Sequence, residues 1–321
     1  PEGMSGYEAL IAATPPMADE CGKDDELCGI YYTGGTTGHP KGVMLSHKNF
    51  ISASVYWIAT LHFSEDTVYM HSAGLFHLAG CSPAIALTLA GGTHVCLPKF
   101  DAVLAFEAIQ THRINYVLFV PTMINMMLNH PDFDRYDLTS VRYCEYGASP
   151  MPDAVLAAAI EKLPSWEFIQ GYGMTETAAL TVSLPWRFHF DGEHGKARRA
   201  AAGRASYGVD VKIVDPEGNE LPRGTPGEIA VRGAQVMLGY WNKPEATAAA
   251  IRNGWMHTGD GAWMDEDGFV YIVDRVKDMI ISGGENVYPA EVESVLYGHP
   301  AVAEVAVIGI PDDKWGETVL A

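Results

Sequence analysis

The chain has 321 residues, 48% of them hydrophobic, with 21 Lys and Arg against 40 Asp and Glu for a formal charge of −19. That apolar content supports a buried core and excludes a disordered chain, and the acidic balance excludes a nucleic-acid partner, whose phosphates require a basic face. No apolar run is long enough to cross a bilayer, and residues 1–20 lack a basic start followed by an apolar stretch, so a cytoplasmic protein is expected.

Five scattered cysteines (Cys21, Cys28, Cys81, Cys96, Cys144) include no C-x-x-C pair, which argues against zinc and disulfide frameworks and for a reducing compartment. The chain starts at Pro1 and stops at Ala321 inside an apolar run, so both ends read as cut.

Residues 1–26 are rich in Pro, Gly and acids and read as a linker or surface segment. A short apolar run over 29–32 then enters the stretch YYTGGTTGHPKG, residues 31–42, with Gly34, Gly35, Gly38 and Gly42, the hydroxyls of Thr33, Thr36 and Thr37, and Lys41. Glycine lets backbone N–H groups approach a ligand, threonine donates hydrogen bonds and lysine supplies charge, so the ligand that suits this loop is a polyphosphate. A plain turn has no use for three hydroxyls and a lysine. The common G-x-x-x-x-G-K-[ST] loop does not match either, because Lys41 is followed by Gly42.

The loop is expected to lead shortly into a helix over 50–61, capped by Ser46 or Asn49. Strands follow over 67–70, 93–97, 116–120, 141–146 and 166–169, with helices over 83–89, 106–112, 122–129 and 153–162 and a loop over 71–80. This alternation predicts βαβ units and largely parallel sheets, with ligands at the loops beyond the strand ends. The pattern changes near Leu184. Short strands over 209–214, 227–232 and 269–273, separated by turn residues, predict a small antiparallel sheet, and Asp265 to Gly268 read as a hairpin turn rather than a calcium loop. The basic cluster Lys196, Arg198, Arg199 and Arg204 reads as a solvated loop. A Gly-Gly loop, a helix over 289–296 and a strand over 302–308 read as the start of another α/β domain. The fold class is therefore α/β.

Several segments carry chemistry. In QGYGMTET, Glu176 suits Mg²⁺, Thr175 a phosphate and Tyr172 a base, although a structural turn before a helix is an equal account of the segment alone. GASP at 147–150 ends a strand where a ligand would be reached. HTGD at 257–260 presents Asp260 to a pair of ribose hydroxyls, and FHLAG at 76–80 presents the imidazole of His77.

Taken in order, T-G-G-T-T-G-x-P-K-G, G-A-S-P, Y-G-x-T-E, T-G-D and D-R-V-K-D resemble the signatures of the adenylate-forming superfamily, which comprises acyl- and aryl-CoA synthetases, firefly-type luciferases and the adenylation domains of peptide synthetases. Gly34 stands where the family form has serine, and Ser149 where it has alanine. The resemblance covers the whole chain and is strongest to bacterial fatty-acyl or aryl-CoA synthetases. It implies a large N-terminal adenylating domain with an antiparallel subdomain (1–276, its first segment missing) and the beginning of a small C-terminal domain (277–321).

By the same resemblance Thr33, Gly34, Gly35, Thr36, Thr37, Gly38 and Lys41 hold phosphates, as does Thr175. Gly147, Ala148 and Ser149, with Gly171, Tyr172, Gly173 and Met174, surround the nucleotide, Asp260 and Arg275 bind its ribose, and Glu176 binds the metal. His77 lies at the reacting carboxylate. Leu78, Gly80, Cys81, Tyr146 and Gly147 border the acyl group, Lys277 is the hinge, and Ser282, Gly283 and Gly284 pass pantetheine. The implied partners are a carboxylic acid, ATP, Mg²⁺ and coenzyme A, with a homodimer left open. The family's further lysine near the C-terminus lies in a segment this chain does not contain. A carrier-protein-loading adenylation domain and a non-catalytic nucleotide or acyl-adenylate binding module stay open as alternatives.

Overall fold

A computed structural model of the chain describes residues 6–16, 22–33, 40–149, 151–189, 198–275, 280–282, 285–299, 301–302, 305–312 and 315–321. Within the segment expected to be a linker, a short exposed helix, α1 (Tyr7–Ala13), forms. Strand β1 (Leu27–Thr33) turns back antiparallel on β2 (Lys41–Ser46). The phosphate loop therefore does not run straight to the helix: β2 intervenes, burying Val43 and Leu45.

Helix α2 (His47–Leu61) starts three residues before the predicted span of 50–61, because, of the two caps left open, it is Ser46 that ends the strand, in a reciprocal capping box with Asn49. Next come β3 (Val68–His71), α3 (Leu78–Ala90), β4 (Thr93–Cys96), α4 (Ala102–His112), β5 (Tyr116–Phe119), α5 (Pro121–Leu128), β6 (Tyr143–Gly147), α6 (Asp153–Lys162) and β7 (Glu167–Tyr172). Helix α3 begins inside the stretch predicted to be loop and carries Pro83 within it. Asp101 caps α4 by accepting from Val103 N and Leu104 N, and Pro121 opens α5.

These strands form a seven-stranded sheet in the order β4-β3-β5-β6-β7, completed by β8 (Val182–Leu184) and β9 (Arg204–Ala205). The first five are parallel and the last two antiparallel. Helices cover both faces, so all four residues of β5 are buried and its side chains alternate between two cores. Val117 and Phe119 pack with α4, α5 and α6 on one face. Tyr116 and Leu118 pack with Trp57 and Leu61 of α2 and Leu87 of α3 on the other.

The switch near Leu184 is present. Strands β10 (Val209–Val214), β11 (Gly227–Gly233), β13 (Ile251–Arg252), β14 (Trp255–Met264) and β15 (Val270–Arg275) form an antiparallel sheet of five strands. Asp265 to Gly268 are a hairpin turn between β14 and β15, closed by Asp265 N donating to Phe269 O at 2.9 Å. Strand β12 (Gly239–Tyr240) joins β2, and α7 (Pro244–Ala250) follows it. Arg198, expected to be solvated, instead pairs with Asp267 at 2.6 Å and lies over the Phe269 ring. Lys196 lies outside the described residues.

The last portion holds β16 (Ile280–Ser282), β17 (Glu285–Val287), α8 (Pro289–Tyr297), β18 (Ile308–Asp312) and β19 (Gly316–Leu320), with the strands antiparallel in the order β17-β16-β19-β18. The strand predicted over 302–308 begins only at Ile308, because it is residues 308–312 that find a partner in β19. Among the described residues no helix is long and apolar enough to cross a membrane.

Candidate active site

Thr33 and Lys41, on either side of the glycine-rich loop, face each other as the last pair of β1 and β2. Gly34, Gly35, Thr36, Thr37 and Gly38 lie outside the described residues, as do Lys277, Gly283 and Gly284. From β2 the Lys41 ammonium reaches over the ring of Tyr240, 4.2 Å from its centre. The Tyr240 hydroxyl in turn donates a 2.7 Å hydrogen bond to Oε1 of Glu176, which is buried in the short turn Thr175–Thr177 after β7. Burial, then the Glu176 charge, pushes the Tyr240 phenol well above its ordinary range, so it stays a donor.

The backbone makes this line rigid. Tyr240 pairs with Val43 of β2, its N–H donates to Thr247 Oγ1 at 2.9 Å, and Met237 N–H donates to the Glu176 carbonyl at 2.9 Å. Met174 and Thr177 are cross-bonded, Met174 N–H donating to Thr177 Oγ1 at 3.2 Å and Thr177 Oγ1 to Met174 O at 3.1 Å. A Cβ on Gly173 would lie 1.3 Å from the Ala179 carbonyl oxygen, so only glycine lets the chain fold back there.

A hard divalent cation takes carboxylate and phosphate oxygens. Among the described residues no group of three or more His, Cys, Asp or Glu could hold a metal unaided. Tyr240 engages Oε1 of Glu176, and Oε2 is a donor of the kind Mg²⁺ accepts when phosphates supply its other ligands.

A second junction joins the sheets. Tyr172, last residue of β7, donates a 2.6 Å hydrogen bond to Oδ2 of Asp260 on β14. Asp260 is also the register partner of Arg275 on β15. Glu228 on β11 steers this part of β14: Oε1 accepts from Gly259 N–H at 2.9 Å and Oε2 lies 2.8 Å from His257 Nδ1. Gly259 has φ +78, and the β11–β14 register shifts beside Glu228. Thr258 Oγ1 donates to Ile229 O at 3.0 Å and accepts from Asp260 N–H at 3.1 Å.

The remaining predicted positions divide. Leu78, Gly80 and Cys81 lie in the first turns of α3, and Cys81 Sγ is 3.0 Å from the Tyr31 hydroxyl, tying α3 to the strand before the loop. Gly147 pairs with Gly171 at the ends of β6 and β7; Ala148 follows with φ 64, and Ser149 is exposed. His77 is exposed at the start of α3, its ring 4.5 Å from Phe76. Tyr146 points to the face of the sheet opposite Gly147, where its hydroxyl meets His189 Nε2 at 3.0 Å and Gln170 Oε1 at 3.3 Å. Ser282 ends β16.

Residues 3–241 match the family model of AMP-binding enzymes. The chain belongs to this family. Residues 291–321 match the C-terminal domain of AMP-binding enzymes. As an AMP-binding enzyme the chain is 42% identical over 297 residues to a feruloyl-CoA synthase from Amycolatopsis sp, covering 91% of this chain and 58% of the relative. It is 40% identical over 310 residues to a long-chain-fatty-acid–CoA ligase from Mycobacterium tuberculosis, covering 97% of this chain and 60% of the relative. The solved o-succinylbenzoate coenzyme A synthetase from Bacillus subtilis, in complex with ATP and magnesium ion, superposes with TM-score 0.84 at 34% identity, covering 93% of this chain and 60% of that one. The AMP-binding chain thus spans less than two thirds of these relatives' length.

Two residues of the junctions escape motif reading, Tyr240 and Glu228. Tyr240 stands in an ordinary L-G-Y-W segment, and only its pairing with β2 brings it between Lys41 and Glu176. Glu228 is the second residue of β11, and in the sequence nothing sets it apart from other strand carboxylates.

Proposed function

We propose that the chain is part of an AMP-forming acyl-CoA synthetase, which joins a fatty or aryl carboxylic acid to coenzyme A through an acyl-adenylate. Residues 1–276 belong to the large adenylating domain and 277–321 begin the small one. The observation that carries this reading is the line Lys41–Tyr240–Glu176: a cation and a carboxylate, far apart in sequence, are held by one phenol beside a glycine-rich loop.

The acid's carboxylate attacks the α-phosphorus of ATP, forming a P–O bond as pyrophosphate leaves; the coenzyme A thiolate then attacks the acyl carbon and AMP leaves. The chain's work is alignment and charge neutralisation. Lys41, with Thr33, Gly34, Gly35, Thr36, Thr37 and Gly38, binds the leaving phosphates, and Thr175 donates to the α-phosphate. Glu176 holds Mg²⁺, which when bound neutralises phosphate charge. The ribose bonds to Asp260 and Arg275. Adenine lies against Tyr172 and the backbone of Gly147, Ala148 and Ser149, bordered by Gly171, Gly173 and Met174.

The acyl group enters beside Leu78, Gly80, Cys81 and Gly147, with His77 at its carboxylate end. Tyr146, on the opposite face of the sheet, is left out of that lining. Lys277 serves as the hinge for the thioester step, and Ser282, Gly283 and Gly284 line the path of pantetheine.

ATP–pyrophosphate exchange driven by a panel of fatty and aryl acids, measured on this chain and on the natural product that contains it, tests the reading. Acid-dependent exchange that stops when Mg²⁺ is chelated is expected. ATP binding without exchange in either would favour a non-catalytic binding module.

A further inference from the structure

Two groups grip Glu176 from outside its own turn, and both belong to one stretch of chain. The Met237 N–H donates to its carbonyl at 2.9 Å and the Tyr240 hydroxyl to its Oε1 at 2.7 Å. This stretch, residues 234–241, runs from the end of β11 through β12. At its far end it is fixed to β2, Leu238 N–H donating to Met44 O at 2.9 Å and Trp241 N–H to Gly42 O at 2.8 Å. At its near end it is fastened by a residue that the proposed chemistry does not use, Asn49 in the first turn of α2.

Asn49 is 4% exposed. Its Nδ2 donates to Ala234 O and to Val236 O, each at 2.8 Å, while its Oδ1 accepts from Ser46 N–H at 2.8 Å. The two ends of the amide cannot exchange places, because Ala234 and Val236 offer carbonyl oxygens and Ser46 offers an N–H. Gln235, between the two carbonyls, is fully buried, and neither end of its amide has a hydrogen-bond partner. The side chain within the stretch therefore does not fasten it, and the side chain of Asn49 does.

Capping alone does not call for asparagine. The reciprocal cap needs only an acceptor at this position, which a carboxylate also supplies. What the amide adds is a pair of donors for the two carbonyls, where a carboxylate would place its charge against them.

We propose that Asn49 is a positioning residue for Glu176: by holding residues 234 and 236 it sets the stretch from which Met237 and Tyr240 fix the carboxylate assigned to Mg²⁺. The inference rests on the synthetase reading.

The test separates this tether from the helix cap. Asn49→Asp keeps an acceptor for the Ser46 N–H and loses both donors. Ser46→Ala removes the hydroxyl that accepts from Asn49 N–H and leaves those donors in place. In the natural product containing this chain, the Mg²⁺ concentration for half-maximal acid-dependent ATP–pyrophosphate exchange should rise roughly tenfold in Asn49→Asp, the lower end of the cost of losing an outer support of a metal ligand. The KM for the acid should stay as in the wild type. Ser46→Ala should lower the melting temperature and leave the Mg²⁺ dependence unchanged. With no ligand present, hydrogen exchange at the amides of Met237, Leu238 and Tyr240 should be faster in Asn49→Asp and not in Ser46→Ala. Asn49→Ser, whose hydroxyl cannot serve both carbonyls, should shift the Mg²⁺ dependence in the same direction and guards against an aspartate variant that fails to fold. Wild-type Mg²⁺ dependence in the Asn49 variants, an equal shift in Ser46→Ala, or unchanged amide exchange over residues 237–240 would overturn the inference while leaving the synthetase standing. No exchange with any acid in the wild type would remove the synthetase reading and this inference together.

Discussion

The phenol of Tyr172 and the carboxylate of Asp260 are joined by a 2.6 Å hydrogen bond across 88 residues of sequence. One belongs to the main sheet and the other to the antiparallel sheet, so the bond ties the two halves of the proposed nucleotide site. Tyr172→Phe should raise the KM for ATP about three- to tenfold with little change in melting temperature, the scale of one net hydrogen bond. Asp260→Ala should raise it further. Unchanged ATP kinetics in both variants would detach the pair from the nucleotide.

Glu228 acts one step back. Its carboxylate receives the Gly259 N–H and meets His257, fixing the bend from which Asp260 projects. Glu228→Ala leaves a part-buried N–H unpaired and should cost about 1–3 kcal/mol of stability. Its KM for ATP should rise with it, and Glu228→Gln, whose amide oxygen still accepts from Gly259, should recover most of both. Denaturant melts alongside ATP titrations test this.

Tyr240→Phe removes the donor to the buried Glu176. Oε1 then loses its partner, and the carboxylate is less firmly aimed. Exchange activity should fall about tenfold, with a higher Mg²⁺ concentration needed for half-maximal rate. A variant with wild-type Mg²⁺ dependence would show that Tyr240 does not serve the metal.

Gly173→Ala puts a methyl where the Ala179 carbonyl already stands. Backbone must move, so about 1–3 kcal/mol of stability or more should be lost, together with the Thr175 and Glu176 geometry. Thermal unfolding of the variant measures it.

Glu145 sets a pH dependence with a definite sign. Burial raises its folded pKa to about 8, above its ordinary 4.5, so between these values the folded state binds more protons than the unfolded one. The contribution is complete below about pH 4.5 and disappears as pH rises through about 8. The melting temperature of the wild type relative to Glu145→Gln should therefore fall from pH 5 to 8, a range spanned by those two values. His71 and His189, drawn down to about 4 by burial, act oppositely between about 4 and 6.5 and cancel in that comparison.

Much of this fold was legible because local signals agreed with the tertiary structure. Helix α6 (Asp153–Lys162) and strand β10 (Val209–Val214) match their predicted spans, and the Ser46–Asn49 cap marks the start of α2. Strand β2 was not read, because six residues between a glycine-rich loop and a helix cap give too short a period to count. The start of α3 was hidden because Gly80 read as loop and Pro83 as the first helical residue. The strand placed at 302–308 slid to Ile308 because pairing with β19, and not the apolar run, sets its register.

The sequence by itself determined the α/β class, the change to antiparallel strands after Leu184 and the segments rich in phosphate-binding chemistry, since periodicity, caps and glycine spacing act over a few residues. Only the tertiary structure decided that Tyr240 bridges Lys41 to Glu176, that Glu228 steers Asp260, that Tyr146 faces away from Gly147 and that Glu145 is buried with an oxygen unpaired. Each of these depends on which strands pair and which face each residue takes, and a one-residue change in register would reverse them.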